Sequence, residues 1–127
     1  MPGLRAAALA AANATSADLD AIRAIHDLAS AETDPGAFER HDTELHAQIF
    51  AATRNELLVC LHDILRVIRN QPSWIEIKQR SASDERRAAY CREHERIVDA
   101  LFARNAGEAV QAMRDHLVTV SHNLFDE

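Results

Sequence analysis

Phe38-Glu39-Arg40-His41-Asp42-Thr43-Glu44-Leu45-His46-Ala47-Gln48-Ile49 decides how this chain is read. Phe38, Asp42, Leu45, His46 and Ile49 recur at steps of three and four, the spacing of one helix face. The stretch therefore predicts a helix from about Pro35 to Thr53, with that face turned to a core. Two of its members are polar. Asp42 and His46 stand one turn apart, so they point the same way, and they point inward. A carboxylate taken out of water without a partner costs several kcal/mol, so this pair asks for something to bind.

The same pattern extends outward in both directions. An Ala-rich helix is predicted over Leu4–Asn13. A second, capped by Thr15 or Ser16, runs to about Ala31 with Leu19, Ile22, Ile25 and Ala29 on one face. Asp34-Pro35-Gly36 breaks the chain before the central helix. Asn55 caps a fourth helix over Glu56–Arg69, whose apolar positions are Leu57, Leu58, Leu61, Ile64, Leu65 and Ile68. Asn70-Gln71-Pro72-Ser73 ends it, and Trp74-Ile75-Glu76-Ile77 reads equally as a helical turn or a loop. Ser81 or Ser83 starts a long helix to about Arg104. After the turn at Asn105-Ala106-Gly107, a last helix reaches about Phe125. No alternation of period two persists, so the fold class is all-α: an antiparallel bundle of six to seven helices.

Composition agrees. The 127 residues are one domain's worth, 47% hydrophobic but only 5% aromatic, with three Gly and three Pro. Abundant Ala, Leu, Arg and Glu favour helix, because their side chains lose little freedom there. The net charge of −6 and the absence of a basic stripe argue that this chain does not itself grip DNA. No apolar run is long enough to cross a bilayer and no secretory leader is evident at the start, so no membrane partner is expected. Cys60 and Cys91 suit a reducing cytoplasm better than a disulfide scaffold, and both read as core residues.

Two more core stripes contain histidine. The long helix reads Tyr90, Cys91, His94, Ile97, Val98, Leu101, and the last reads Ala109, Met113, His116, Leu117, Val120, Leu124. Asp42, His46, His94 and His116 thus come from three helices of one bundle. Three imidazoles and a carboxylate suit a divalent metal ion, Zn, Ni, Mn or Fe. The plainer alternative is a hydrogen-bonded polar network in a dimerisation module. His26 reads as a boundary residue, His41 and His122 as exposed, and His62 as either buried or exposed. Arg69 reads as a clamp for a bound carboxylate or as a solvated arginine favoured by the helix dipole. Asn123 reads as facing the same cavity or as a helix-end polar group. The pair His41-Asp42 leaves a metal-dependent hydrolase on a helical bundle as the alternative function.

Three segments resemble one known family. Phe38–His46 followed by Ala51-Ala52-Thr53-Arg54-Asn55 is similar to its D-x-x-F/L-H and A-x-x-N-x-x-L stretches. Glu93–Leu101 resembles its E-H-x-x-I-x-x-A-I helix, and Ala109–Leu117 its A-x-x-x-M-x-x-H-L ending. The family is the C-terminal effector-binding (FCD) domain of FadR-type GntR transcription regulators, and the likeness covers about residues 4–125. It implies a metal held by Asp42, His46, His94 and His116. It also implies a small organic acid as effector, with Arg69 and Asn123 as candidate contacts, a homodimer, and no catalysis. DNA contact is implied only through an N-terminal winged-helix domain, which this chain does not contain.

Overall fold

A computed structural model describes residues 2–125. Seven helices follow one another among them: α1 (Pro2–Asn13), α2 (Ser16–Ala31), α3 (Pro35–Ala52), α4 (Glu56–Arg69), α5 (Pro72–Ser81), α6 (Asp84–Phe102) and α7 (Ala106–Phe125). No strand occurs among the described residues, and no helix is long and apolar enough to cross a membrane.

The boundaries follow from local chemistry. Thr15 and Asp18 form a reciprocal capping box at the start of α2. Asp34 caps α3, with Pro35 in the first turn where its missing N–H costs nothing. Asn55 and Ser83 cap α4 and α6 in the same way. The segment at Trp74 is helical, as part of α5, with Pro72 in its first turn. Helices α3 and α6 end alike. Arg54 and Arg104 both adopt the left-handed conformation, each with φ 56°. Glycine usually fills that position. Here Arg54 forks onto the Asp18 carboxylate at 2.8–3.2 Å, and Arg104 donates to the Ala11 carbonyl at 3.3 Å. Each is followed by an asparagine that receives the next helix: the side chain of Asn105 accepts from the Glu108 N–H at 3.0 Å.

The core is built around α1. Ala6, Ala7, Ala10 and Ala11 are fully buried, and α1 lies against α3, α6 and α7. Methyl side chains let those three helices approach closely. Ile22, Leu45, Ile49, Ile97, Val98, Leu101 and Met113 complete the main core. Each large apolar side chain buried there contributes about 1.5–3 kcal/mol relative to exposure. Helices α4 and α5 stand at the margin. Of the apolar positions of α4, only Leu58 is buried; Leu57, Leu61, Ile64 and Ile68 face outward. Periodicity marks an apolar face but cannot say what covers it.

Four single-residue expectations change. His26 is buried rather than at a boundary, because its Nε2 is bonded to Glu95 of α6. Arg23 reinforces that link, bonding Glu95 at 3.0 Å and Asp99 at 2.9 Å. Cys60 is exposed on α4, and Cys91 is half-buried, where burial pushes its thiol up. His41 is half-buried, with Nε2 3.7 Å from Glu32.

Candidate metal centre

The four stripe residues converge. Asp42 Oδ1 lies 3.5 Å from His46 Nε2 and 3.1 Å from His94 Nε2. His94 Nε2 lies 3.1 Å from His116 Nε2. Donor atoms of His46, His94 and His116 all fall within 4.8 Å of one another. The His46 and His116 rings stack at 5.7 Å, with His94 edge-on to both. Each residue is held by a core neighbour on its own helix: Leu45 beside His46, Ile97 one turn beyond His94, and Met113 one turn before His116.

The donor set fits a divalent ion. Four ligands at bonds of about 2.05 Å in a tetrahedron stand about 3.3 Å apart. Three of the six spacings, Asp42–His46, Asp42–His94 and His94–His116, run from 3.1 to 3.5 Å. The group whose donor atoms all lie within 4.8 Å of one another is the three histidines, with Asp42 at its edge against His46 and His94. Hydrogen bonding alone satisfies the cluster poorly. His94 Nε2 meets a carboxylate and another ring nitrogen at the same distance and can carry only one proton. His94 Nδ1 is buried without a partner among the described residues.

Electrostatics bear on Asp42, His94 and His116. Burial alone would push the Asp42 carboxyl up. His46 and His94 outweigh that and hold it well below the usual carboxylate range. Burial pushes the His94 and His116 imidazoles down, against opposing help from Asp42 and Glu93. An ionised Asp42 and neutral His94 and His116 are the forms in which those three groups ligate a metal.

Glu93 was not singled out by the stripes, since it sits one residue off the inward face. Its Oε1 lies 2.7 Å from His116 Nδ1. That bond places the Nδ1 proton on the carboxylate side and leaves the Nε2 lone pair facing the cluster. The signals in the sequence were a carboxylate next to a ligand candidate and its place at the head of the E-H-x-x-I segment. Glu93→Ala is expected to weaken ion affinity about 10- to 100-fold while leaving all four ligands in place. Competition titration against a chelating dye reads this, and an unchanged affinity would count against the role.

A cavity of about 620 Å³ opens beside the cluster, walled by α3, α4, α5 and α6. None of the four stripe residues lines it. Tyr90 links the two, lining the cavity while its ring meets His116 edge-on at 5.7 Å. Six basic side chains line the cavity, Arg40, Arg66, Arg69, Lys78, Arg86 and Arg87, against the acids Glu39 and Glu44. Lys78 is bonded to Glu39 at 3.3 Å and Arg87 to Asp84 at 3.1 Å. Arg69 lines the wall with no hydrogen bond or ion pair among the described residues. Asn123 does not line it. Its amide donates to the Tyr90 hydroxyl at 2.9 Å and its carbonyl accepts from Arg86 at 3.2 Å, so it braces two wall residues from behind.

His62, left open by the sequence, is buried and stacked on Phe50 at 4.6 Å. Burial, aided by Arg69, lowers its pKa to about 4.

Fold and cluster define the class: an all-helical bundle domain with a candidate metal centre inside it. The profile of the FCD domain matches residues 4–119, and the chain belongs to that family. Curated relatives agree. The chain is 31% identical over 124 residues to the Uxu operon transcriptional regulator of Escherichia coli, covering 94% of this chain and 48% of that protein. It is 34% identical over 121 residues to the HTH-type transcriptional regulator LutR of Bacillus subtilis, covering 90% and 53%. The chain thus spans about half the length of these relatives. No solved structure matches it at a comparable level of significance. The resemblance read from the three segments is borne out, and the domain is of the kind carried by GntR-family regulators.

Proposed function

We propose that this domain is the sensing part of a transcription regulator. In this reading it holds one divalent ion through Asp42, His46, His94 and His116, and takes a small organic acid into the adjoining cavity. The observation that carries the proposal is the convergence of the four donor atoms beside a cavity with a surplus of positive charge. The ion, when bound, would supply a fixed positive charge behind Tyr90, beside the cavity. Arg69 supplies a second, with a planar fork that matches a carboxylate. Tyr90, braced by Asn123, places a hydroxyl and an aromatic face between them. An acid that binds one arrangement of the bundle better than another shifts the population, and an attached DNA-binding domain responds. The protein acts as a homodimer in the cytoplasm and performs no catalysis. No observation favours the hydrolase alternative: His41 is directed to Glu32 rather than to the cluster.

Thermal unfolding with a panel of mono- and dicarboxylic acids, with zinc and with chelator, tests this. At least one acid is expected to raise the midpoint of the ion-loaded protein by several degrees. The shift falls by more than half in Arg69→Ala and on chelation. A panel that moves neither form sinks the sensing reading.

A further inference from the structure

One stripe of α4 changes character along its length. Leu58, His62, Arg66 and Arg69 recur at steps of four, four and three, so they share one face of the helix. Leu58 and His62 are buried in the core, while Arg66 and Arg69 line the cavity. The helix dipole favours cations in a last turn, but it does not choose the face on which they stand. Burial lowers the His62 pKa to about 4 with help from Arg69 and Arg66, so both charges lie on the inward side. Arg40 joins them from the second turn of α3, and Arg86 from the start of α6.

This charge is not neutralised within the chain. The side chains of Arg40, Arg66 and Arg69 make no hydrogen bond or ion pair among the described residues. The Arg86 guanidinium bonds only the Ser81 and Asn123 carbonyls, at 2.8 and 3.2 Å, and both are neutral. Lys78 is matched by Glu39, and Arg87 by Asp84. Four cationic groups are left facing one remaining acid of the lining, Glu44, a surplus of three. A single carboxylate answers only one of them.

We propose that the occupant of this cavity is a phosphorylated sugar acid, with a phosphate ester at one end and a carboxylate at the other. The inference rests on the reading of the cavity as an organic-acid site and names the class of acid. Charge is the first support. A phosphate ester carries close to two negative charges at neutral pH, and the carboxylate adds a third, which matches the surplus. Direction is the second. The arginines come from α3, α4 and α6. A phosphate offers three oxygens in a tetrahedral array and takes guanidinium forks from several sides, whereas a carboxylate offers two in one plane. Size and lining are the third. A cavity of about 620 Å³ lies in the range of sites that enclose larger ligands, and a three-carbon acid leaves most of it to water. Trp74 and Tyr90 give it aromatic walls for the C–H face of a sugar, and the Glu39 carboxyl is placed to accept from a hydroxyl.

Calorimetric titration of the whole chain, with zinc present, tests this with 6-phosphogluconate, gluconate and citrate as probes. The phosphorylated acid is expected to bind at least about 30-fold more tightly than gluconate. Arg66→Ala and Arg69→Ala are each expected to cut that ratio below about fivefold, with helix content unchanged. Arg80→Ala, a cation of α5 outside the cavity lining, should keep it. Gluconate binding as tightly as 6-phosphogluconate overturns the proposal. Citrate binding as tightly overturns it too, since charge alone would then be read. So does a preference that survives both arginine variants, which would place the phosphate elsewhere. A chain that answers unphosphorylated acids alone loses this inference and keeps the sensing reading; one that binds no acid at all loses both.

Discussion

His94→Ala and His116→Ala are each expected to cut bound zinc from one ion per chain to below about a tenth, as counted by elemental analysis after dialysis. These two rings stand at the buried end of the cluster, with Nε2 atoms 3.1 Å apart. Removing either leaves three donors and opens the buried side of the site, which weakens the hold on the ion enough for dialysis to strip it. Ion binding stabilises the fold by mass action, about 2.7 kcal/mol at a hundredfold excess over the dissociation constant. For a domain of this size that corresponds to roughly 10 °C in melting midpoint. The increment between zinc-loaded and chelator-treated protein should be present in the parent and absent in both variants. His41→Ala, outside the cluster, should keep it. If either core variant still carries a full ion, the four-residue centre is wrong.

Acid should unfold the ion-free domain well before its carboxylates are fully protonated. The unfolded chain binds a proton at His62 near pH 6.5, whereas the folded chain holds that pKa at about 4. Between those values the unfolded state carries more protons, so stability rises with pH across that window. The contribution is fully present above pH 6.5 and is lost as pH falls to about 4. It is worth about 2–3 kcal/mol. His94 and His116 shift in the same direction, also through burial. Asp42, held low by His46 and His94 against the effect of burial, adds a loss at still lower pH. Denaturant titrations of chelator-treated protein at pH 7 and pH 4.5 should differ by several kcal/mol in unfolding free energy. His62→Phe should reduce that difference by about 2 kcal/mol. Equal stability at the two pH values would mean that His62 is not held neutral by the fold.

Much of this was legible in the residues. The helix ends were, because Asp34, Asn55, Ser83 and the two prolines act locally on the backbone. The polar residues in apolar stripes were, because a helix repeats every 3.6 residues whatever surrounds it. Partner choice was not. His26 looked marginal until Glu95, sixty-nine residues away, came beside it. Glu93 stood in a motif, but its role was not legible for the same reason, since it depends on which helix faces it. The outward turn of α4 was also illegible: Leu57 and Leu58 are adjacent leucines, one exposed and one buried. Asn123 shows the limit from the other side, lying near the cavity yet reaching it only through Tyr90 and Arg86.

The alanines of α1 give the domain a one-way mutational tolerance. Most cores can lose atoms and relax around the gap. At Ala6, Ala7, Ala10 and Ala11 there is almost nothing to lose, and all four are sealed. Nearly every substitution there adds volume, and overpacking costs about 1–3 kcal/mol. Even Gly3, one turn from Ala7, has a Cβ position only 3.2 Å from the Leu117 side chain. The helices that would be wedged outward are α3, α6 and α7, which carry the four candidate ligands. Four methyl groups on α1 thus stand behind the three helices that carry Asp42, His46, His94 and His116.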